Sequence, residues 1–151
     1  FLPYLKKQGE GHIINTSSMA GFIAFPNQAA YCMSKSAVKA LSETLRIELA
    51  CDNIGVTSIH PGAIRTNIMH AAMAKSGADD ETKKMAALVD RFGKSPEDLA
   101  KKVVKAVKAN KMRVLVGPDA YLFEFLKRLF PVWIHKPFEI AFAKVAAKKQ
   151  A

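Results

Sequence analysis

Gly11-His12-Ile13-Ile14-Asn15-Thr16-Ser17-Ser18 decides how this chain folds. The run is short and rich in apolar, β-branched residues, and it follows the turn residues Gly9 and Gly11. Ser17, Ser18 and Gly21 end it, so it reads as a buried strand. Downstream, from Ala29 to Ala50, Met33, Val38, Leu41, Leu45 and Leu49 recur close to the helical period, while Glu43, Arg46 and Glu48 fall elsewhere around the axis. The spacing predicts a helix there, closed by Asp52-Asn53-Ile54-Gly55. Val56 to His60 reads as a second strand, stopped by Pro61-Gly62.

Further along, residues 63–94 show short helical stretches rich in Ala, Met and Lys, two glycine breaks (Gly77, Gly93) and no strand pattern; they read as a mobile insertion. Ser95-Pro96-Glu97-Asp98 announces another helix: serine caps, proline suits the first helical position, and the acids complement the positive helix end. It is expected to run to about Asn110. Arg113 to Gly117 forms a third strand, and the aromatic-rich remainder, about 120–151, is a helical tail broken near Pro131 and Pro137. Strands separated by helices long enough for crossovers imply parallel pairing in an α/β sheet. Three such strands need their faces covered and their edges protected, so a further partner segment is expected.

The chain has 151 residues, half of them hydrophobic and 24% charged, enough for one ordinary globular domain. It begins at Phe1, without an initiator Met, in what reads as the end of an amphipathic helix, so a truncated start is expected. No apolar run approaches the roughly 18 residues that span a bilayer, and no signal-type leader is legible. Cys32 and Cys51 are placed on one helix about five turns apart, too far for a disulfide, and the four histidines show no ligand spacing with them; no metal site is expected. The net charge of +10 raises the question of a polyanion partner. Yet Lys83, Lys84, Lys101, Lys102, Lys105, Lys108 and Lys111 have the spacing of a solvated helix face, with no interleaved aromatics as a stacking platform. Nucleic acid is therefore not an expected partner.

Tyr31 and Lys35 lie four residues apart on the expected helix, about 40° apart around its axis and one turn from each other, and so reach the same ligand. A tyrosine hydroxyl holds its proton to a pH of about 10, and a neighbouring ammonium favours the phenolate, which makes Tyr31 a candidate general acid/base. Ser18, at the preceding strand end, is placed to donate a hydrogen bond to a carbonyl oxygen as charge develops there. Taken alone, Tyr-x-x-x-Lys is also what an ordinary solvated helix face carries.

The surrounding residues narrow the reading. Gly11 to Ser18, Tyr31-Cys32-Met33-Ser34-Lys35, Leu45-Arg46-Ile47-Glu48-Leu49, Ile54-Gly55-Val56 and His60-Pro61-Gly62-Ala63-Ile64-Arg65-Thr66 together resemble the short-chain dehydrogenase/reductase family. The likeness covers about Phe1 to Asn67 closely and the rest loosely. It implies an α/β fold, the C-terminal part of a Rossmann-like, doubly wound parallel sheet whose N-terminal strands are missing, with 1–151 a partial domain. It also implies hydride transfer between NAD or NADP and a carbonyl or alcohol, with Ser18 as the carbonyl-orienting serine, Tyr31 as proton donor and acceptor, and Lys35 as its partner and ligand of the nicotinamide ribose. Pro61 and Gly62 match the turn beneath the nicotinamide, with the Ile64 backbone and the Thr66 hydroxyl near its carboxamide or pyrophosphate. The family's Gly-rich phosphate loop, ribose discriminator, Asn-Ala-Gly turn and catalytic-helix asparagine belong before Phe1, so this chain alone is expected to be inactive. Gly9 and Gly11 are no substitute, because they precede a strand instead of following one.

Residues 63–94 are the expected substrate lid, with Ile68, Met69, Met73, Met85 and Leu88 suited to a hydrophobic ligand, or simply packing the lid onto the core; His70 reads as exposed. The resemblance further implies a homo-oligomer paired through the helix from Ala29 to Ala50; a cytoplasmic location is expected. The competing expectation is a non-catalytic scaffold of the same fold that binds a protein partner or membrane surface through its basic aromatic tail, where Tyr121, Phe123, Phe125, Phe130, Trp133, Phe138 and Phe142 sit among lysines.

Overall fold

The structure is a computed structural model; it describes residues 1–67, 71 and 80–150, and the side chains at 80–82, 85 and 148–150 are not described. The elements are α1 (Leu2–Gln8), β1 (Gly11–Thr16), a 3-10 turn (Met19–Gly21), α2 (Ala29–Glu48), β2 (Ile54–Pro61), α3 (Asp80–Phe92), α4 (Pro96–Lys108), β3 (Arg113–Val116), α5 (Pro118–Leu129), a second 3-10 turn (Trp133–His135) and α6 (Lys136–Gln150). The strands form one parallel sheet in the order β1-β2-β3, with Ile13 opposite Val56 and Ile59 opposite Val114. This is the expected open, Rossmann-like α/β arrangement.

Alternation along β2 sorts its side chains between two helix layers. Ile54 and Val56 pack with Leu49, and Leu2, Leu5, Ile13 and Leu45 close around them from α1, β1 and α2. Ile59 points the other way, joining Val114, Val116 and Ala106 under Leu99 and Val103 of α4. Seven of the eight β2 residues are buried, as suits the central strand of a parallel sheet. Ser95 caps α4 as expected, its Oγ accepting from the Asp98 N–H at 3.1 Å, with Pro96 in the first turn.

Several boundaries differ from the sequence reading. α2 ends at Glu48, so Cys51 lies beyond the helix and exposed, while Cys32 is buried within it; both are free thiols. β2 runs two residues further at its start and includes Pro61 at its end, because Ile54 and Gly55 pair with Gly11 and His12. Pro137 does not break the tail. It occupies the first turn of α6, where its missing N–H leaves no helical bond unmade; the break lies at Pro131 alone. The base of residues 63–94 is tied and not free: Ile64 and Lys94 form a parallel bridge, the Arg65 N–H donating to the Lys94 carbonyl and the Lys94 N–H to that of Ala63, both at 2.9 Å. Alternation and local sequence cannot reveal a pairing across thirty residues. Ile68, Met69, His70 and Met73 lie outside the described residues, as does the side chain of Met85; Leu88 is exposed on α3.

Buried polar groups on β2 are matched. His60 is fully buried: its Nδ1 donates to the Ser18 carbonyl at 3.0 Å, so its Nε2 must accept from the Ser58 hydroxyl at 2.9 Å, which fixes the neutral tautomer. Burial is the main cause lowering its pKa below 6.5; the Ser18 carbonyl opposes that shift, Arg113 and Lys39 reinforce it, and Glu43 opposes it.

Two outcomes follow from this packing. Ile59→Ala should destabilise the fold by about 2–5 kcal/mol in urea denaturation, whereas Val104→Ala, on the exposed face of α4, should stay within about 0.5 kcal/mol. With His60 held neutral, the unfolded chain binds more protons than the folded one as pH falls below about 6.5. Stability should be fully present above that pH and decline below it, and His60→Gln should reduce this slope of the urea midpoint, leaving the part due to His12, whose pKa burial and Arg46 also lower.

Candidate functional site

The three residues expected to carry chemistry gather at the carboxyl end of the sheet, where open α/β sheets place their ligands. Ser17 leaves β1 with its N–H on the Ile59 carbonyl at 2.8 Å, so the chain from Ser17 to Ser18 runs beside the end of β2. Ser18 caps the first 3-10 turn, its Oγ accepting from the Ala20 N–H at 3.2 Å. That contact uses an oxygen lone pair and leaves the hydroxyl proton available to an acceptor.

α2 is fastened to this strand end at one turn. The Ser17 hydroxyl donates to the Lys35 carbonyl at 2.7 Å, and Lys35 Nζ returns to the Thr16 carbonyl at 3.2 Å. Gly21 makes the close approach possible, since a Cβ there would collide with Ser17 Oγ and the Lys35 carbonyl. Lys35 Nζ also stands 5.6 Å from the centroid of the Tyr31 ring, while the tyrosine remains half-exposed. Tyr31 and Lys35 therefore do share a face, and Lys35 bridges from that face to the strand that delivers Ser18. The ammonium, with three donors, retains capacity for a ligand.

Pro61 and Gly62 lie at the end of β2, next to Ser18 through His60. The Gly62 N–H donates to the Val116 carbonyl at 2.8 Å, and the Ala63 N–H to Asp119 Oδ2 at 2.6 Å. These two N–H groups are thus committed inside the protein. Ile64 differs: its bridge to Lys94 uses groups of Ala63 and Arg65, so its own N–H and C=O turn to the opposite side. Thr66 is half-buried just beyond.

Two residues around the site were not singled out from sequence. Asp119 sits in the first turn of α5, its carboxylate packed between Gly62 and Gly117, either of which would clash with it if given a Cβ. Gly117-Pro118-Asp119 is legible as a helix start, but nothing local marks the partner turn 56 residues earlier. His60 was read only as a strand residue; its hold on the Ser18 carbonyl spans 42 residues. A surface hollow lined by Gly11, His12, Asn53, Gly55 and Asn110 is at the amino ends of the strands, away from all of these groups. Among the described residues, no three His, Cys, Asp or Glu side chains gather in a way that would hold a metal ion.

Comparison with known proteins agrees with the fold. A Mycobacterium tuberculosis protein named as an oxidoreductase, SadH, is 40% identical over 133 residues, covering 85% of this chain and 48% of that protein. A Burkholderia cenocepacia short chain dehydrogenase solved with NADP superposes with a TM-score of 0.70 at 24% identity, over 91% of this chain and 51% of its own. One from Burkholderia phymatum, solved with NAD, gives 0.72 at 24% identity, over 85% and 50%. This chain spans about half the length of each of these three proteins. The short chain dehydrogenase family model matches residues 1–77, more than half of the sequence, and the chain belongs to that family.

Proposed function

We propose that this chain supplies the proton-transfer groups of an NAD- or NADP-dependent oxidoreductase that interconverts a carbonyl and an alcohol on a hydrophobic substrate. The observation that carries the reading is the convergence at Lys35: one ammonium reaches the Tyr31 ring and the end of the strand that leads to Ser18. The nicotinamide cofactor, when bound, supplies or accepts the hydride.

In reduction, the Tyr31 hydroxyl gives its proton to the substrate oxygen as negative charge develops on it. In oxidation it takes that proton back. Ser18 donates its hydroxyl proton to the same oxygen and holds the carbonyl in line. Lys35 offers positive charge beside the phenol and donors for ribose hydroxyls. Pro61 and Gly62 form a floor whose rigidity comes from the Val116 and Asp119 contacts, with the Ile64 backbone and Thr66 hydroxyl as carboxamide or pyrophosphate ligands. Support for the fit is that Ile64 keeps its polar backbone groups turned away from its own bridge.

Residues 63–94 are assigned to substrate selection and 120–151 to a C-terminal helical tail. Met33, Leu41 and Ile47, all exposed on α2, support pairing of that helix with a second copy.

In a longer parent chain that also carries the dinucleotide-binding segment, Tyr31→Phe should lower kcat for NAD(P)H-dependent reduction of hydrophobic ketones by at least about a hundredfold, with an unchanged circular dichroism spectrum. Near-normal turnover would contradict the role given to the phenol.

A further inference from the structure

α5 has two unlike faces. Phe123 turns inward and completes a ring cluster with Phe25 and Phe138, with centroids 6.2, 5.8 and 6.1 Å apart. Tyr121, Leu122, Phe125 and Leu129 recur at three- and four-residue steps, which places them along one stripe, and each is more than half exposed. Past the helix, Val132 and Trp133 carry the apolar surface on, with Trp133 73% exposed.

The outward position of Trp133 is built into the fold. Its neighbour Ile134 is buried, and Lys127 Nζ holds the turn by donating to the Pro131 carbonyl at 2.8 Å and meeting His135 Nε2 at 2.9 Å. A monomer surface rarely carries so many large apolar side chains together without an interaction to make.

Charge identifies the occupant. The acids in this region are paired: Asp119 holds the Ala63 N–H, Glu124, with its side chain 14% exposed, lies between Arg113 and Arg128, and the exposed Glu139 takes Lys136 at 3.0 Å. The exposed border is basic. Arg128, 65% exposed, shares Glu124 with Arg113, Lys102 of α4 reaches over the Tyr121 ring at 5.4 Å, and over residues 118–151 six Lys and Arg stand against three Asp and Glu. A second copy docked here would set these cations against their own kind, and the apolar face of α2 already offers a surface for self-association. An apolar stripe with an aromatic at each end and a cationic margin matches the boundary between acyl chains and anionic headgroups.

We propose that the α5 stripe and the Val132-Trp133 turn seat the protein on an anionic lipid surface, with α5 lying in the interface plane. No helix among the described residues is long and apolar enough to cross a membrane, so the contact is one-sided. It stands independently of the roles given to Ser18, Tyr31 and Lys35.

Trp133 is the sole tryptophan of the chain, so its fluorescence reports this surface alone. The 151-residue chain would be mixed with vesicles of phosphatidylcholine, with and without phosphatidylglycerol, some carrying brominated acyl chains. The expected result is co-sedimentation with the anionic vesicles, a blue shift of Trp133 and its quenching by the brominated chains. Binding should be at least about tenfold weaker on neutral vesicles and should be lost in Phe125→Glu/Leu129→Glu. Failure to bind anionic vesicles would overturn the proposal, as would binding that leaves Trp133 unshifted and unquenched. A dimer that Phe125→Glu/Leu129→Glu dissociates, without vesicle binding, would overturn it in favour of a second copy. Should that variant not fold, the shift and quenching of the unaltered chain decide the matter.

Discussion

The Ser17 hydroxyl on the Lys35 carbonyl and the Lys35 ammonium on the Thr16 carbonyl together clamp one turn of α2 against the end of β1. A helix packed on a sheet by apolar contacts alone can slide or rotate by fractions of a turn at small cost, since such contacts are non-directional. Directional bonds at one level remove that freedom, and Gly21 lets the backbones come close enough to form them. Tyr31, one turn before Lys35, inherits its position from the clamp. Ser18, one residue beyond Ser17, inherits its own from the same place. His60 adds a third restraint by holding the Ser18 carbonyl from within β2.

The second shared feature is the way the floor of the site is assembled from the far side of the sheet. β3 contributes the Val116 carbonyl and α5 contributes Asp119, both directed at Gly62 and Ala63. The helix that positions this turn is the same helix whose outer stripe is apolar and basic-edged. Its inner face meets Phe25 in the segment between Ser18 and Tyr31. The tail is thus joined structurally to both walls of the candidate site, and is not an appendage to it.

What could be read from the sequence divides along the range of the interactions. The strand at Gly11–Thr16, the long helix and the cap at Ser95 rest on periodicity and neighbouring side chains, and each appears where expected. Tyr31 and Lys35 share a face because four residues nearly complete one helical turn, a local fact. The Ile64–Lys94 bridge, the Asp119 contact with Ala63 and the His60 bond to Ser18 join distant parts of the chain, and no local pattern encodes them. Pro137 was misread because a proline stops a helix only from within it; in the first turn it is compatible with one. The tail aromatics read alike in sequence, yet Phe123 and Phe138 are half-buried against Phe25 while Phe125 and Trp133 face solvent. Only the packing of Phe25 separates them.

The central claim is that one oxygen of a substrate is held jointly by groups from β1 and α2. A crystal structure of a longer parent chain that also carries the dinucleotide-binding segment, with NAD or NADP and a bound alcohol, tests it most directly. The account predicts the alcohol oxygen within about 3 Å of both Tyr31 Oη and Ser18 Oγ, with Lys35 Nζ on the ribose hydroxyls. An alcohol bound elsewhere, with Tyr31 and Ser18 both facing water, would contradict it.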